Sequence, residues 1–162
     1  MQVYAHGGSY FRFKKLSAYV GRGIGKAIAL AFAEAGANIA LLARTKTQLD
    51  EVADIITSTF HRKALVFAVD ANDAEAVKSA VEETERTLGT IDVAIPNAGV
   101  NVFRPFSFTP FDEWWQGIEV NLRAPMLLAK LVLGSMREKN KGVILFIASR
   151  AGTVNFRKSK YM

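Results

Sequence analysis

Four stretches of this chain are mainly apolar: residues 38–43, 63–69, 91–95 and 142–148, all rich in Val, Ile, Leu and Phe, with Asn38, Lys63 and Asp92 at or near their starts. Unbroken rather than alternating apolar character fits strands buried on both faces. Between these stretches the period changes to that of a helix. Ile24, Ile28, Ala31, Phe32 and Ala35 share one face, closed by Gly36. Leu49, Val52, Ala53 and Ile56 share another, behind a Thr45 and Gln48 pair that fits a capping box. Val77, Ala80, Val81, Thr84 and Leu88 repeat the pattern before Gly89, with Asn72 or Asp73 as the cap. A longer helix is predicted from about Thr109 and Pro110 to Lys139. Its buried side is read as Trp115, Ile118, Leu122, Met126, Ala129 and Val132, with a kink at Pro125. Only residues 16–20 are short and apolar enough for a first strand.

Strands and helices alternating at this spacing make βαβ units. The predicted fold class is therefore α/β, a doubly wound parallel sheet with helices on both faces, in one domain spanning residues 1–162. Residues 1–16 are atypical of it, and residues 153–162 form a basic tail. On such sheets ligands bind beyond the carboxyl ends of the strands. That rule singles out Gly21 to Gly25, Ala43 and Arg44, Asp70, Asn97 to Gly99, and Ser149, each of which follows a predicted strand.

Composition narrows the chemistry. The 162 residues are 50% hydrophobic, enough for one core. The absence of cysteine excludes a disulfide framework, a thiolate nucleophile and cysteine-ligated zinc. His6 and His61 are too few and too distant in sequence to propose a metal cluster. No apolar run approaches the roughly 18 residues of a membrane span, so the expectation is a cytoplasmic chain without membrane attachment. An acid-poor basic start before Glu34 offers a mitochondrial address as the alternative. The formal charge of +6 is scattered, and a solvated face or a phosphate-bearing cofactor explains it without nucleic acid.

Gly21, Arg22, Gly23, Ile24 and Gly25 open the first helix, where backbone N–H groups and the positive helix end can hold a pyrophosphate. A tight turn without any ligand would read the same way. A Walker loop does not fit: Val20 stands where its first glycine belongs, and Ala27 where its Ser or Thr belongs. Methyltransferase-type loops tend to have an acid closing the second strand, and here that strand ends in Ala43 and Arg44.

The run "GRGIGKAIALAFAEAGANIALLAR", Asp70, "PNAG" at residues 96–99, Asn121 in "VNLRAP" and "ILFIASRAG" at residues 144–152 together resemble the short-chain dehydrogenase/reductase family. The likeness runs from about Gly21 to Phe156 and implies a Rossmann-like sheet, incomplete on its carboxyl-terminal side. It implies that Gly23, Ile24 and Gly25 end a T-G-x-x-x-G-x-G cofactor loop and that Asp70 sits beside the adenine. Asn97, Ala98 and Gly99 match the element lining the cofactor, and Lys130 matches a further contact. Asn121 and Ser149 match two catalytic residues and Tyr161 a third: Ser149 orients the substrate oxygen, Tyr161 exchanges the proton, and Asn121 supports the relay through a carbonyl freed by Pro125. The substrate implied is a small carbonyl or alcohol compound. The helix over residues 109–139 is implied as a face for a homo-oligomer. Arg44, where an NAD-selective enzyme carries an acid, favours NADP, as does Arg22 in the glycine loop.

Three departures bear on activity. Tyr19 and Ala18 align with the family's opening glycine and the threonine before it, which places a large side chain where a left-handed turn is expected. Tyr161 follows Ser149 by twelve residues where the family has thirteen. The lysine that would follow that tyrosine by four, lowering its ordinary pKa of about 10, has no counterpart in 162 residues. Two expectations follow: an NADP-dependent oxidoreductase, or a truncated, inactive relative acting as a cofactor-binding or interaction module. Turnover with NADPH and carbonyl substrates separates them.

Overall fold

The computed structural model describes residues 3–4, 10–11, 15–19, 23–101 and 104–149. Strands β1 (Val3–Tyr4) and β2 (Tyr10–Phe11) pair antiparallel in a small hairpin. The main sheet comprises β3 (Lys15–Tyr19), β4 (Asn38–Ala43), β5 (Ala64–Ala68), β6 (Val93–Ile95) and β7 (Val143–Ile144). Its order is β5-β4-β3-β6-β7 and every pairing is parallel. The chain therefore winds outward from β3 in one direction through β4 and β5, then returns to β3's other side for β6 and β7. The switch point falls between β3 and β6, where such sheets open a crevice. Beyond β7 the backbone stays alongside β6, with Leu145 and Ile147 donating to Ala94 and Pro96.

Helices α1 (Ile24–Glu34) and α2 (Lys46–Phe60) cover one face. Helices α3 (Ala74–Leu88) and α5 (Ala124–Glu138) cover the other. Strand β4 serves both: Ile39 and Leu41 pack with Ala29, Ala33, Val52 and Ile56, while Ala40 and Leu42 pack with Val77, Val81, Leu128 and Val132. Two separate cores explain why residues 39–43 of this strand are apolar without a break. Helix α3 begins as expected, with Asp73 accepting the Ala76 N–H. Helix α2 differs: Thr45 is its N-cap, but its side chain makes no capping hydrogen bond.

The long helical run departs most from expectation. It consists of α4 (Phe111–Ile118), a π-helical turn over Glu119–Arg123, and α5. The break at Pro125 takes the form of that π turn, in which the Ala124 N–H reaches back to the Glu119 carbonyl. A proline has no N–H for the Asn121 carbonyl, and the ladder adapts one turn upstream. The buried face is also different. Gly117, Ala124, Pro125, Leu128, Val132 and Met136 face inward. Trp115, Leu122 and Met126 are 48%, 58% and 56% exposed, and Leu133 joins them at 47%. Gly117, Ala124 and Pro125 keep the inward face narrow at the π turn, and Leu128, Val132 and Met136 fill the core beyond it. Of the six residues expected inside, Val132 alone is fully buried; Ile118 and Ala129 are half-buried.

Tyr19 is also placed differently from expectation. It ends β3 in extended conformation, paired with Leu42. The positive φ falls at Gly23 instead, at +61°. Among the described residues of this loop, a positive φ is found at Gly23, which has no Cβ; Gly21, the other candidate for the turn, lies outside the described residues.

Candidate active site

Because all five strands of the main sheet run parallel, their carboxyl ends share one edge. That edge carries Gly23, Arg44, Asp70, Asn97 and Ser149. Gly23 is the N-cap of α1 with φ +61° and ψ −128°, a backbone state that favours glycine. Among the described residues no side chain caps this helix, and its first turn holds no acid. N–H groups at a helix start are donors suited to an anion. Gly25 is buried.

A cleft of about 410 Å³ lies beside the ends of β4, β5 and β6. Arg44, Asp70, Asn97, Ala98 and Gly99, all identified in the sequence, line it together. The register explains the gathering: Ala43 pairs with Ala68 and the Val69 N–H donates to the Ala43 carbonyl, which sets Arg44 next to the Asp70 turn. Asp70 Oδ1 accepts the Asn72 N–H at 2.9 Å, and the Asp70 carbonyl accepts that of Asp73 at 3.1 Å. The carboxylate is thereby oriented while remaining exposed. Arg44 is exposed at the rim, and among the described residues no carboxylate pairs with it.

The strand ends Leu42, Ala43 and Val69 also line it, as do Thr45, Gln48, Ala71, Val100 and Val120, which were missed as site residues in the sequence. Thr45 and Gln48 were read as a capping box. Their polar character fits the cleft wall equally well, and only the unused cap distinguishes the two. Val120 carries no sequence signal; the π turn brings it in.

Asn121 lies on that turn, facing a second, smaller cleft with Val100, Arg104, Phe106 and Trp114. Its side-chain amide grips the Val100 backbone in both directions, as donor and as acceptor. A Cβ on Gly99 would lie 3.4 Å from Asn121 Oδ1, so the loop and the amide are in close contact. Ser149 follows β7 at the same edge and is exposed. Lys130 is set apart: it projects from the exposed side of α5, lines neither cleft, and lies roughly 13 Å along the helix from Asn121 at 1.5 Å per residue. Gly21, Arg22 and Tyr161 lie outside the described residues.

The geometry fits a dinucleotide. The start of α1 offers backbone donors for a pyrophosphate, and the cleft at the same sheet edge offers a mixed polar and apolar lining with the Asp70 carboxylate and the Arg44 guanidinium, which no carboxylate among the described residues engages. Comparison with known proteins agrees. The profile of the short chain dehydrogenase family matches residues 20–161. A short chain dehydrogenase of Pseudocercospora fijiensis is 38% identical over 133 residues, covering 81% of this chain and 43% of that protein. The structure of an alcohol dehydrogenase from Thermococcus sibiricus complexed with 5-hydroxy-NADP superposes with a TM-score of 0.83 at 28% identity, over 91% of this chain and 62% of that one. A 7α-hydroxysteroid dehydrogenase complexed with NADH and a 7-oxo bile acid superposes with a TM-score of 0.82 at 28% identity, over 89% and 57%. The chain spans about half the length of the curated relatives it matches. No helix among the described residues is long and apolar enough to cross a membrane.

Proposed function

This chain belongs to the short-chain dehydrogenase family, and from that premise we propose that it forms the dinucleotide-binding part of an NADP-dependent oxidoreductase interconverting a carbonyl and an alcohol. The observation that carries the reading is the cleft at the carboxyl ends of β4, β5 and β6, with Arg44, Asp70 and residues 97–99 on its walls. A bound nicotinamide dinucleotide supplies or accepts the hydride. Gly23 and the first turn of α1 hold the pyrophosphate. Asp70 and Ala71 bound the adenine side, and Arg44 receives the 2′-phosphate. The related structures carry NADP and NADH cofactors alike, so the preference for NADP rests on Arg44, whose guanidinium matches a phosphate and has no carboxylate partner.

On the substrate side, Ser149 donates a hydrogen bond to the substrate oxygen, and Tyr161 exchanges the proton with that oxygen. The Asn121 carbonyl, which Pro125 cannot engage, accepts a hydrogen bond from a water in the relay. Asn121's amide is committed to Val100, so this role falls to its backbone.

Titration calorimetry of the full chain with NADPH and NADH tests the cofactor assignment, and turnover of a ketone and alcohol panel tests the chemistry. NADPH is expected to bind more tightly. NADH binding of equal strength overturns the NADP preference, and binding of neither overturns the dinucleotide reading.

The exposed stripe Phe111, Trp115, Leu122, Met126 and Leu133 is assigned to a second copy of the chain, packed antiparallel. A two-fold axis near residues 124 and 125 sets Asp112 opposite Arg137 and Glu119 opposite Lys130 of the other copy, by their spacing along the helix. It also sets Trp115 opposite Gly134, where a Cβ would meet no described atom within 4 Å. Acidic amino half against basic carboxyl half favours this orientation over the parallel one.

A further inference from the structure

The π turn over Glu119–Arg123 holds more of the cleft than its length suggests. Val120 lines the cleft. Asn121 fixes the Val100 segment on one side. Arg123 reaches the other side, donating from Nη1 to the Asn72 carbonyl at 3.1 Å across 51 positions of sequence. Asn72 is the residue whose N–H orients Asp70. The bond from Arg123 reaches residues 70–73 from another element, whereas the Asn72, Asp73, Ala76 and Val77 N–H bonds to Asp70 and Asp73 are internal to the turn or lead into α3. Asn72 Oδ1 is buried without a hydrogen-bond partner, so its side-chain oxygen does not help fix the turn.

We propose that Arg123 is a positioning residue for the adenine end of the cofactor site. It acts through the Asn72 carbonyl to hold the Asp70–Ala71 wall at the distance from Val120 and Val100 that a nucleobase requires. The proposal rests on the dinucleotide reading above. A guanidinium suits the task because its planar donors grip a carbonyl directionally, and because an extra N–H inserted into the π turn re-aims the residues that follow it. No contact between Arg123 and the ligand is invoked.

The test uses the full chain as wild type, Arg123→Ala and Arg123→Lys, with 2′,5′-ADP as a probe of the adenine end and NADPH as the whole cofactor. Arg123→Ala is expected to weaken 2′,5′-ADP by about three- to tenfold, with Arg123→Lys recovering most of the loss. Hydrogen exchange at the Asn72 and Asp73 amides should quicken in Arg123→Ala without ligand present, while a thermal midpoint near the wild-type value shows that the fold is intact. If either the affinity or the exchange stays at its wild-type value in Arg123→Ala, the proposal is overturned. If the wild type binds neither 2′,5′-ADP nor NADPH, the dinucleotide reading fails first and the role of Arg123 fails with it.

Discussion

The side chain of Asn121 and the backbone of Val100 are joined by two hydrogen bonds: Oδ1 accepts the Val100 N–H at 2.8 Å, and Nδ2 donates to the Val100 carbonyl at 2.9 Å. A side-chain amide carries its donor and its acceptor on separate atoms, so it can serve the N–H and the carbonyl of a backbone segment at once. Asn121→Ala should therefore lower stability by about 1 kcal/mol, the net worth of exposed hydrogen bonds. Asn121→Asp should cost more, because a carboxylate then faces the Val100 carbonyl. Thermal unfolding followed by circular dichroism checks this, with an expected drop of about 2–4 °C for the alanine variant. An aspartate variant as stable as the wild type would remove the donor from the account.

Gly23 holds φ at +61° and ψ at −128°, with no described atom within 4 Å of where a Cβ would stand. The cost of Gly23→Ala is thus torsional rather than steric, on the order of 1–3 kcal/mol. The variant should lose thermal stability and bind NADPH less tightly, since the same residue opens the helix end that receives the pyrophosphate. Equal stability in the two proteins would contradict the assigned backbone state.

Reversing the charge at Arg44 should invert cofactor choice. Arg44→Asp is expected to weaken NADPH by about tenfold or more and to strengthen NADH, because a carboxylate accepts from the ribose hydroxyls and repels a 2′-phosphate. The ratio of the two dissociation constants by calorimetry is the readout. An unchanged ratio would show that Arg44 is a bystander.

The antiparallel pairing predicts charge rescue. Lys130→Glu places like charges opposite one another twice per dimer and should shift the chain toward monomer in analytical ultracentrifugation. Adding Glu119→Lys should restore the dimer. A wild-type chain that sediments as a monomer, or a double variant no better than the single, would dismiss the pairing.

Among the described residues, Glu83 has a displaced acidity. The hydrogen bonds from Arg86, then Thr87, hold its carboxyl below the usual carboxylate range. A depressed folded pKa gives stability that is present above the unfolded value and lost as pH falls through the folded one. The difference in stability between wild type and Arg86→Ala should thus be small and positive at neutral pH and should disappear in acid. Carbon-detected NMR titration of the Glu83 carboxyl should show it returning upward in Arg86→Ala.

The division between what was legible in the sequence and what was not follows the range of the forces involved. Strand and helix positions, the parallel sheet and the ligand edge are local or nearly so. Buried parallel strands need apolar residues at every position, helices need a 3.6 period, and both periods are written in the chain. Arg44, Asp70 and residues 97–99 could be singled out because each follows such a strand, and they line one cleft. The sequence also determined that an arginine rather than an acid closes β4.

Tertiary structure decided the rest. Which face of residues 111–138 is buried could not be read, because both faces are apolar; close packing against the sheet selected Gly117, Ala124 and Pro125 and left Trp115, Leu122 and Met126 outside. The capping pattern of Thr45 and Gln48 went unused, and the cleft took both. Lys130 fell away from the cofactor edge once the helix was docked. The contacts from Asn121 to Val100 and from Arg123 to Asn72 span 21 and 51 positions. No local propensity encodes such distances: they exist only once a proline, lacking one N–H, has pushed a π turn between two loops that the parallel sheet had already brought together.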